Sequence, residues 1–210
     1  MIKILIADDH AIVREGLKQI VADIPDMVVA GEAANSHQTL ELVLKENWDL
    51  VLLDVAMPDR GGIDTLKTIK RERPTLPVLI LSIYPEEHYA LRALKAGASG
   101  YLTKESAPDE LIEAIRKVSQ KGKYISASLA EEIATHIGVD TEKQLHELLS
   151  DREYQVMLLI AAGKTVKEVA DDLSLSVKTI STNRSRALEK MGMKNNAEFM
   201  YYAMKKGLVD

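Results

Sequence analysis

Five residues in the first half of the chain have side chains suited to phosphoryl chemistry, and all five follow short apolar runs. Asp8 and Asp9 close the run at 2–7, Asp54 closes 50–53, Ser82 closes 78–81, and Lys104 lies just past 101–102. A carboxylate can attack phosphorus and form an aspartyl phosphate. The charge carried by the moving phosphoryl group then needs cations beside it. Asp54 is the candidate nucleophile, Asp8 and Asp9 are candidate carboxylates for a hard cation such as Mg²⁺, and Lys104 is the candidate ammonium counter-ion. Ser82 supplies a hydroxyl able to donate to a new phosphate oxygen. Three carboxylates within a few ångströms repel one another unless cations neutralise them, which is a second reason to expect Mg²⁺ and a lysine together.

The elements around these residues must bring them to one place. Apolar runs at 2–7, 27–31, 50–53, 78–81 and 101–102 read as buried strands. Segments with helical period lie between and after them, at 12–21, 39–45, 63–71, 86–95 and 110–118. Strands alternating with helices predict a doubly wound, flavodoxin-like (βα)5 α/β domain with a parallel sheet. In such sheets ligands sit beyond the carboxyl ends of the strands, where strand order reverses. A 2-1-3-4-5 order would make the first and third strands neighbours and bring Asp8, Asp9 and Asp54 together. Asp9, Ser36 and the run Pro108-Asp109-Glu110 are suited to helix starts, and Gly97 to a helix end.

Past Gly122 the strand pattern stops. A helix is expected over 126–137, closed by Gly138, followed by a polar linker at 140–144. Four more helices follow at 151–162, 166–173, 177–191 and 197–206, with breaks at Gly163, Ser174–Ser176 and 192–195. This divides the chain into 1–122, a helical linker 123–146, and a small all-α domain at 147–210. The helices at 166–173 and 177–191 are three residues apart, the spacing of a helix-turn-helix whose second helix enters the major groove. Small polar residues Ser181, Thr182, Asn183 and Ser185 occupy the first half of that helix, where base edges are met. Lys178, Arg184, Arg186, Lys190 and Lys194 can neutralise phosphates.

Composition sets the outer bounds. The chain has 210 residues, 46% hydrophobic and 28% charged, with 17 Gly plus Pro; that is ordinary for a globular chain with a core and excludes collagen-like or disordered character. With no cysteine, disulfide scaffolds, thiol nucleophiles and cysteine metal sites are excluded. The N-terminus is too short and too acidic for a signal peptide, and no apolar run reaches the ~20 residues of a membrane span. A cytoplasmic location is expected. The net charge of −5 is uneven: residues 1–122 carry −4 and 147–210 carry +1, with five bases against one acid over 178–194. An acidic front and a locally basic back suit a C-terminal part that meets a polyanion.

Two resemblances add to this reading. Asp8-Asp9-His10, Asp54-Val-Ala-Met57-Pro58 with Gly62, then Ser82, and Ala96-Gly-Ala-Ser-Gly-Tyr101-Leu-Thr-Lys104 resemble the receiver domain of bacterial two-component response regulators. The resemblance implies Asp54 as phosphoacceptor, Asp8 and Asp9 as metal carboxylates with the main-chain carbonyl of Ala56, Ser82 as signalling hydroxyl and Tyr101 as rotating aromatic. It also implies Mg²⁺ and a partner sensor histidine kinase. Many receivers have proline after the lysine; here it is Glu105, so nothing resting on that proline carries over. Leu149-Ser-Asp-Arg152-Glu153, Ala161-Ala-Gly163, Leu173-Ser-Leu-Ser176, Val177-Lys178-Thr179-Ile180 and Leu188-Glu-Lys190-Met resemble the LuxR-type DNA-binding domain, and the two together resemble the NarL/FixJ class. That resemblance implies promoter DNA as partner, with Lys178, Thr179, Ser181, Thr182, Arg184, Ser185 and Arg186 at the DNA. It also implies a homodimer through Ala197, Met200, Tyr201 and Met204 of the last helix, part of whose Met/aromatic stripe must also be core. The expected protein is a transcription factor rather than an enzyme. An aspartyl-nucleophile phosphatase would need an acid two residues after Asp54, where Ala56 stands. A protein-binding helical output domain is the other alternative.

Overall fold

Ile4, Leu5 and Ile6 of the first strand are entirely withdrawn from solvent, as are Leu50, Val51, Leu52 and Leu53 of the third. In the computed structural model, which describes residues 1–57, 61–126, 129–131 and 144–209, these runs form the middle of a five-stranded parallel sheet. Its strands are β1 (Ile2–Ala7), β2 (Met27–Ala33), β3 (Leu50–Asp54), β4 (Val78–Ser82) and β5 (Gly100–Thr103), in the order β2-β1-β3-β4-β5. Helices are α1 (Ala11–Ala22), α2 (Ser36–Lys45), α3 (Gly62–Glu72), α4 (Glu86–Lys95) and α5 (Ala107–Ser119). The doubly wound α/β architecture and its strand order are those expected from the sequence. β3 and β4 are buried at every position, because helices cover both faces. The edge strand β2 is exposed at three of its seven positions.

One face of the sheet packs Ile4, Ile6, Leu50, Leu52, Leu79 and Leu81 against Leu17 and Val21 of α1 and Leu111, Ile115 and Val118 of α5. On the other side, α3 lies between α2 and α4. Strand order reverses between β1 and β3, whose registers pair Ala7 with Leu53. Asp8 and Asp54 therefore leave adjacent strands at the same level.

Of the local signals, Ser36 lies in the first turn of its helix as expected and Asp9 differs. The cap of α2 is Asn35, whose side chain accepts the Gln38 amide at 2.9 Å, while Ser36 is already helical and buried. Asp9 does not cap α1: the N-cap is His10, without a side-chain cap bond. Asp109 and Glu110 do lie in the first turn of α5, and Gly97, at φ +103°, follows the end of α4.

The chain does not leave the sheet at Gly122. Tyr124 bridges Gly100 in parallel, donating its amide to Ser99 O at 2.9 Å, and its hydroxyl bonds Glu110 at 2.7 Å. Ser126 bonds Glu86 at the start of α4 and accepts the Leu129 amide at 3.1 Å. Of the helix expected over 126–137, residues 129–131 are helical and Ser126 is not; residues 127–128 and 132–137, its close at Gly138 and most of the linker at 140–144 lie outside the described residues.

Residues 1–135 and 136–210 form two compact units. In the second, a 3-10 turn (Leu145–Leu148) that the sequence did not announce precedes α6 (Asp151–Ala161), α7 (Val166–Asp172), α8 (Val177–Met191) and α9 (Asn196–Lys205). Capping boxes start α6 (Ser150 with Glu153) and α7 (Thr165 with Glu168), and Ser176 caps α8. Gly192, at φ +67°, ends α8 in the left-handed conformation a glycine adopts without steric cost. Val156, Met157, Val169, Ile180, Ala187, Phe199 and Ala203 fill the core between these helices. Among the described residues, no helix is long and apolar enough to cross a membrane.

Candidate phosphoacceptor site and nucleic-acid interface

Asp8 and Asp54 are each 1% exposed. Burying two carboxylates side by side requires a cation, and Lys104, carried past the end of β5, supplies it: Nζ lies 2.6 Å from Asp8 Oδ2 and 3.1 Å from Asp54 Oδ2. The lysine is placed by the backbone, since its amide donates to Ser82 O at 2.7 Å, joining the ends of β4 and β5. Each aspartate spends its other oxygen on the loop that follows it. Asp54 Oδ1 accepts the Ala56 amide at 3.1 Å, and Asp8 Oδ1 accepts the His10 amide at 2.8 Å. Both residues are thereby oriented toward the crevice between β1 and β3.

Electrostatics distinguish the groups. Burial is the largest influence on the Asp54 carboxyl and pushes it up to about 6; Lys104 and the Ala56 amide pull it down, while Asp8 pushes it further up. Burial would lower the pKa of the Lys104 ammonium, but Asp54 and Asp8 more than offset that and hold it above its usual range. Asp9 is partly exposed, and His10, whose imidazole is 61% exposed, lies 2.9 Å from its Oδ1. One ligand atom each from Asp8, Asp9, His10 and Asp54 falls within 4.8 Å of the others. Buried carboxylate oxygens with one ammonium between them, beside a partly exposed carboxylate, form an oxygen-rich donor set that fits Mg²⁺.

Ser82, wholly buried, accepts the Tyr84 amide on Oγ at 3.0 Å. Tyr101 is also buried, and its hydroxyl donates to Tyr84 O at 2.8 Å. The aromatic thus already occupies the space beneath the loop after Ser82. Tyr84 stacks on Tyr89, centroids 4.8 Å apart. Gly62 shows why a glycine stands eight residues past Asp54: a Cβ there would lie 2.1 Å from Asp54 O and 2.6 Å from the Val55 Cα. The start of α3 rests directly on the strand end that presents Asp54.

In the second unit, Lys178, Thr182 and Ser185 fall at i, i+4 and i+7 on α8 and are exposed. Thr179 and Arg186 are also exposed and flank that line; Ser181 is half-buried. Ile180, Ala187, Leu188 and Met191 turn to the core. Two of the expected phosphate-binding cations have partners within the protein. Lys190 lies 2.6 Å from the carboxylate of Glu153, which is 3% exposed, and Arg184 Nε donates to Asn196 Oδ1 at 2.5 Å. The sequence did not signal either pairing, which joins α8 to α6 and to α9. Glu189 continues the exposed line of α8 one turn further on.

The stripe on α9 is placed differently from the sequence expectation. Met200, Tyr201 and Met204 are 40%, 70% and 57% exposed, and Ala197 is exposed too. None of them serves as core. Phe199 and Ala203, on the opposite side of the helix, take that place.

Fold and site define a class: a receiver domain followed by a LuxR-type helix-turn-helix domain. Residues 4–116 match the response regulator receiver domain, and residues 147–203 match the bacterial regulatory proteins of the luxR family. The chain belongs to the NarL/FixJ family of response regulators. It is 36% identical to the response regulator GacA of Pseudomonas aeruginosa over 100% of this chain and 99% of that one. It is 34% identical to the response regulator UvrY of Escherichia coli, over 99% and 96% of the two chains. Among solved structures, it matches the RcsB response regulator of Salmonella typhimurium with a TM-score of 0.69, 29% identity and 97% of each chain covered. RcsB bound to promoter rprA in the presence of the phosphomimetic BeF3⁻ matches with a TM-score of 0.65 and 30% identity, covering 96% of this chain and 97% of that one.

Proposed function

We propose that this response regulator accepts a phosphoryl group from a partner sensor histidine kinase on Asp54 and thereby controls its binding to promoter DNA. The observation that carries the proposal is the Asp8–Lys104–Asp54 cluster at the carboxyl ends of adjacent strands. Asp54 Oδ2 faces the crevice and attacks phosphorus; Oδ1 stays on the Ala56 amide, which holds the carboxylate in orientation. Lys104 neutralises negative charge before and after transfer, and Ser82 can donate its hydroxyl to a phosphate oxygen. Asp8, Asp9, Asp54 and the Ala56 carbonyl would hold Mg²⁺, which when bound supplies the charge neutralisation that a phosphoryl transition state needs. The chain acts as a phosphoacceptor and not as a turnover enzyme.

The domain division that goes with this reading is a receiver at 1–122, a linker at 123–146 whose first residues, through Ser126, stay bonded to the receiver, and a DNA-binding domain at 147–210. Lys178 and Arg186 contact phosphates, with Arg184 held alongside by Asn196; Thr179, Ser181, Thr182 and Ser185 approach base edges. Ala197, Met200, Tyr201 and Met204 pair two copies, giving paired half-sites about one helical turn apart. RcsB, to which this chain is similar, is bound to promoter DNA in one solved structure, which supports promoter DNA as the partner. A cytoplasmic location follows from the roles proposed.

The test is phosphorylation of purified protein by a small-molecule phosphodonor with Mg²⁺. Asp54→Ala should remove incorporation while the protein stays folded, and Lys104→Ala should leave it measurable but weaken the effect on DNA affinity. Phosphate appearing on Asp8, Asp9 or a histidine in the Asp54→Ala protein would overturn the assignment.

A further inference from the structure

Arg14 lies on α1, six residues past Asp8, and makes two hydrogen bonds of different kinds. Its Nη1 donates to the main-chain carbonyl of Asp8 at 2.8 Å, and its Nε donates to Glu32 Oε2 on β2 at 3.0 Å. The other Glu32 oxygen takes Lys18 Nζ at 2.8 Å. Hydrogen bonding to Lys18 outweighs partial burial and, with help from Arg14, holds the Glu32 carboxyl below its usual range. Glu32 is therefore charged when Arg14 needs it. The Arg14 side chain is 17% exposed, so most of it is packed between α1 and the edge of the sheet. The Asp8 amide, meanwhile, donates to Ala33 O on the same strand at 3.0 Å. Both main-chain polar groups of Asp8 are thus referred to β2, one directly and the other through the Arg14–Glu32 pair.

We propose that Arg14, braced by Glu32, is a positioning residue for the cation site: it fixes the Asp8–Asp9 peptide so that both carboxylates meet a divalent ion in one geometry. The inference rests on Asp8, Asp9 and Asp54 being that site. Partners behind the ligands of a metal orient them, and losing one weakens metal binding even though it never touches the ion. Arginine suits this place because its rigid fork spans two acceptors at once, which a lysine ammonium does not reproduce. The two carboxylates are otherwise set by the His10 amide and imidazole and by Lys104, none of which holds the peptide between them.

The sign of the effect separates positioning from simple charge. Removing a cation near three carboxylates makes the site more negative, and electrostatics alone would then tighten Mg²⁺ binding. Loss of positioning would loosen it.

The experiment is calorimetric titration of the full-length protein with MgCl2, comparing wild type, Arg14→Gln, Arg14→Lys, Glu32→Gln and Asp9→Asn, with thermal unfolding of each in EDTA. Arg14→Gln is expected to raise the Mg²⁺ Kd roughly tenfold. Arg14→Lys, which keeps the charge, should recover only part of the loss; Glu32→Gln should raise the Kd less, and there the lost negative charge acts in the same direction as lost positioning, so its sign alone does not separate the two. Phosphorylation of the Arg14→Gln protein should fall at low Mg²⁺ and recover at high Mg²⁺, a recovery that a merely structural defect would not give. Unchanged or tighter Mg²⁺ binding in Arg14→Gln, with Asp9→Asn weakened, would overturn the inference and leave the cation site standing. Undiminished binding in Asp9→Asn would overturn the site itself, and the inference with it. Should Arg14→Gln fail to fold, Arg14→Lys decides: with the charge kept, a raised Kd supports positioning and an unchanged Kd overturns the inference.

Discussion

The amide of Tyr101 donates to the carbonyl of Tyr124 at 3.3 Å. This bond joins the strand that leads to Lys104 to the first residues beyond α5. At its other end, the same tyrosine donates its hydroxyl to the Tyr84 carbonyl, in the loop that follows Ser82. One residue thus touches both the neighbourhood of the phosphoacceptor and the chain's way out of the sheet. Ser126, bonded to Glu86 at the start of α4, adds a second tie between that exit and the β4–α4 loop.

Tyr101→Phe keeps the ring that fills the space and removes only the hydroxyl. The Tyr84 carbonyl loses its donor, which should cost about 0.5–1.5 kcal/mol in stability, read by urea unfolding. Incorporation of phosphate on Asp54 should stay within about twofold of wild type, because the tyrosine makes no bond to Asp54 or Lys104. The difference in DNA affinity between phosphorylated and unphosphorylated protein should shrink. An unchanged difference would remove Tyr101 from the coupling.

Several parts of this arrangement were legible in the sequence because they depend on neighbours in the chain. Buried apolar runs ended by Asp8, Asp54 and Ser82 announce strand ends, and a parallel order that puts the first and third strands side by side brings the acids together. What the sequence did not announce is contact made at long range or by choice between adjacent faces. Arg14 and Glu32 are eighteen positions apart on different elements, and nothing in their local pattern pairs them. The Glu153 carboxylate that occupies Lys190 comes from a helix thirty-seven residues away. On α9, Phe199 and Met200 are equally apolar neighbours, and only the shape of the surrounding helices decides that Phe199 is buried and Met200 is not. Gly62 was visible as a glycine, whereas its cause, the 2.1 Å a Cβ would leave to Asp54 O, is a property of tertiary packing.

The raised Asp54 pKa has a pH signature in the absence of divalent cations. The folded carboxyl sits at about 6, against 3.8 for the unperturbed group. Between those values the folded state binds the proton more tightly than the unfolded state, so this group's contribution to stability falls as pH rises from about 4 to about 6. Asp54→Asn removes that penalty. Its melting temperature in EDTA should exceed that of wild type at pH 7, by up to roughly 3 kcal/mol in stability terms, and the gain should fade toward pH 4. The rate of phosphorylation should also drop as pH falls through about 6 at low Mg²⁺, since only the carboxylate attacks.

On α8, phosphate and base contacts predict different consequences. Lys178→Ala or Arg186→Ala should weaken binding to all sequences similarly and reduce the salt slope by about one charge unit. Thr182→Ala or Ser185→Ala should instead relax preference at one base pair, by about 1–3 kcal/mol for a good contact. Titrations at several salt concentrations, on a target and a scrambled duplex, separate the two. Glu189→Gln should tighten binding modestly at low salt and have no effect at high salt, because an exposed acid on that line repels phosphate only while unscreened.

The α9 stripe gives the last prediction, and exposure makes it clean. Met200, Tyr201 and Met204 lie at i, i+1 and i+4, with Ala197 one turn earlier, and all four reach solvent while Phe199 and Ala203 hold the helix to the core. A charge at Tyr201 or Met204 therefore meets water in a single copy, and Tyr201→Glu or Met204→Glu should change the melting temperature of the second unit little. In a pair of copies joined along this stripe, the same charge is buried twice across the twofold axis, with no partner for either. DNA carrying two half-sites should then lose its cooperative occupation, with the midpoint moving to higher protein concentration, while binding to a single half-site stays as in wild type. Equal losses on single and paired half-sites would place the stripe elsewhere than between two copies.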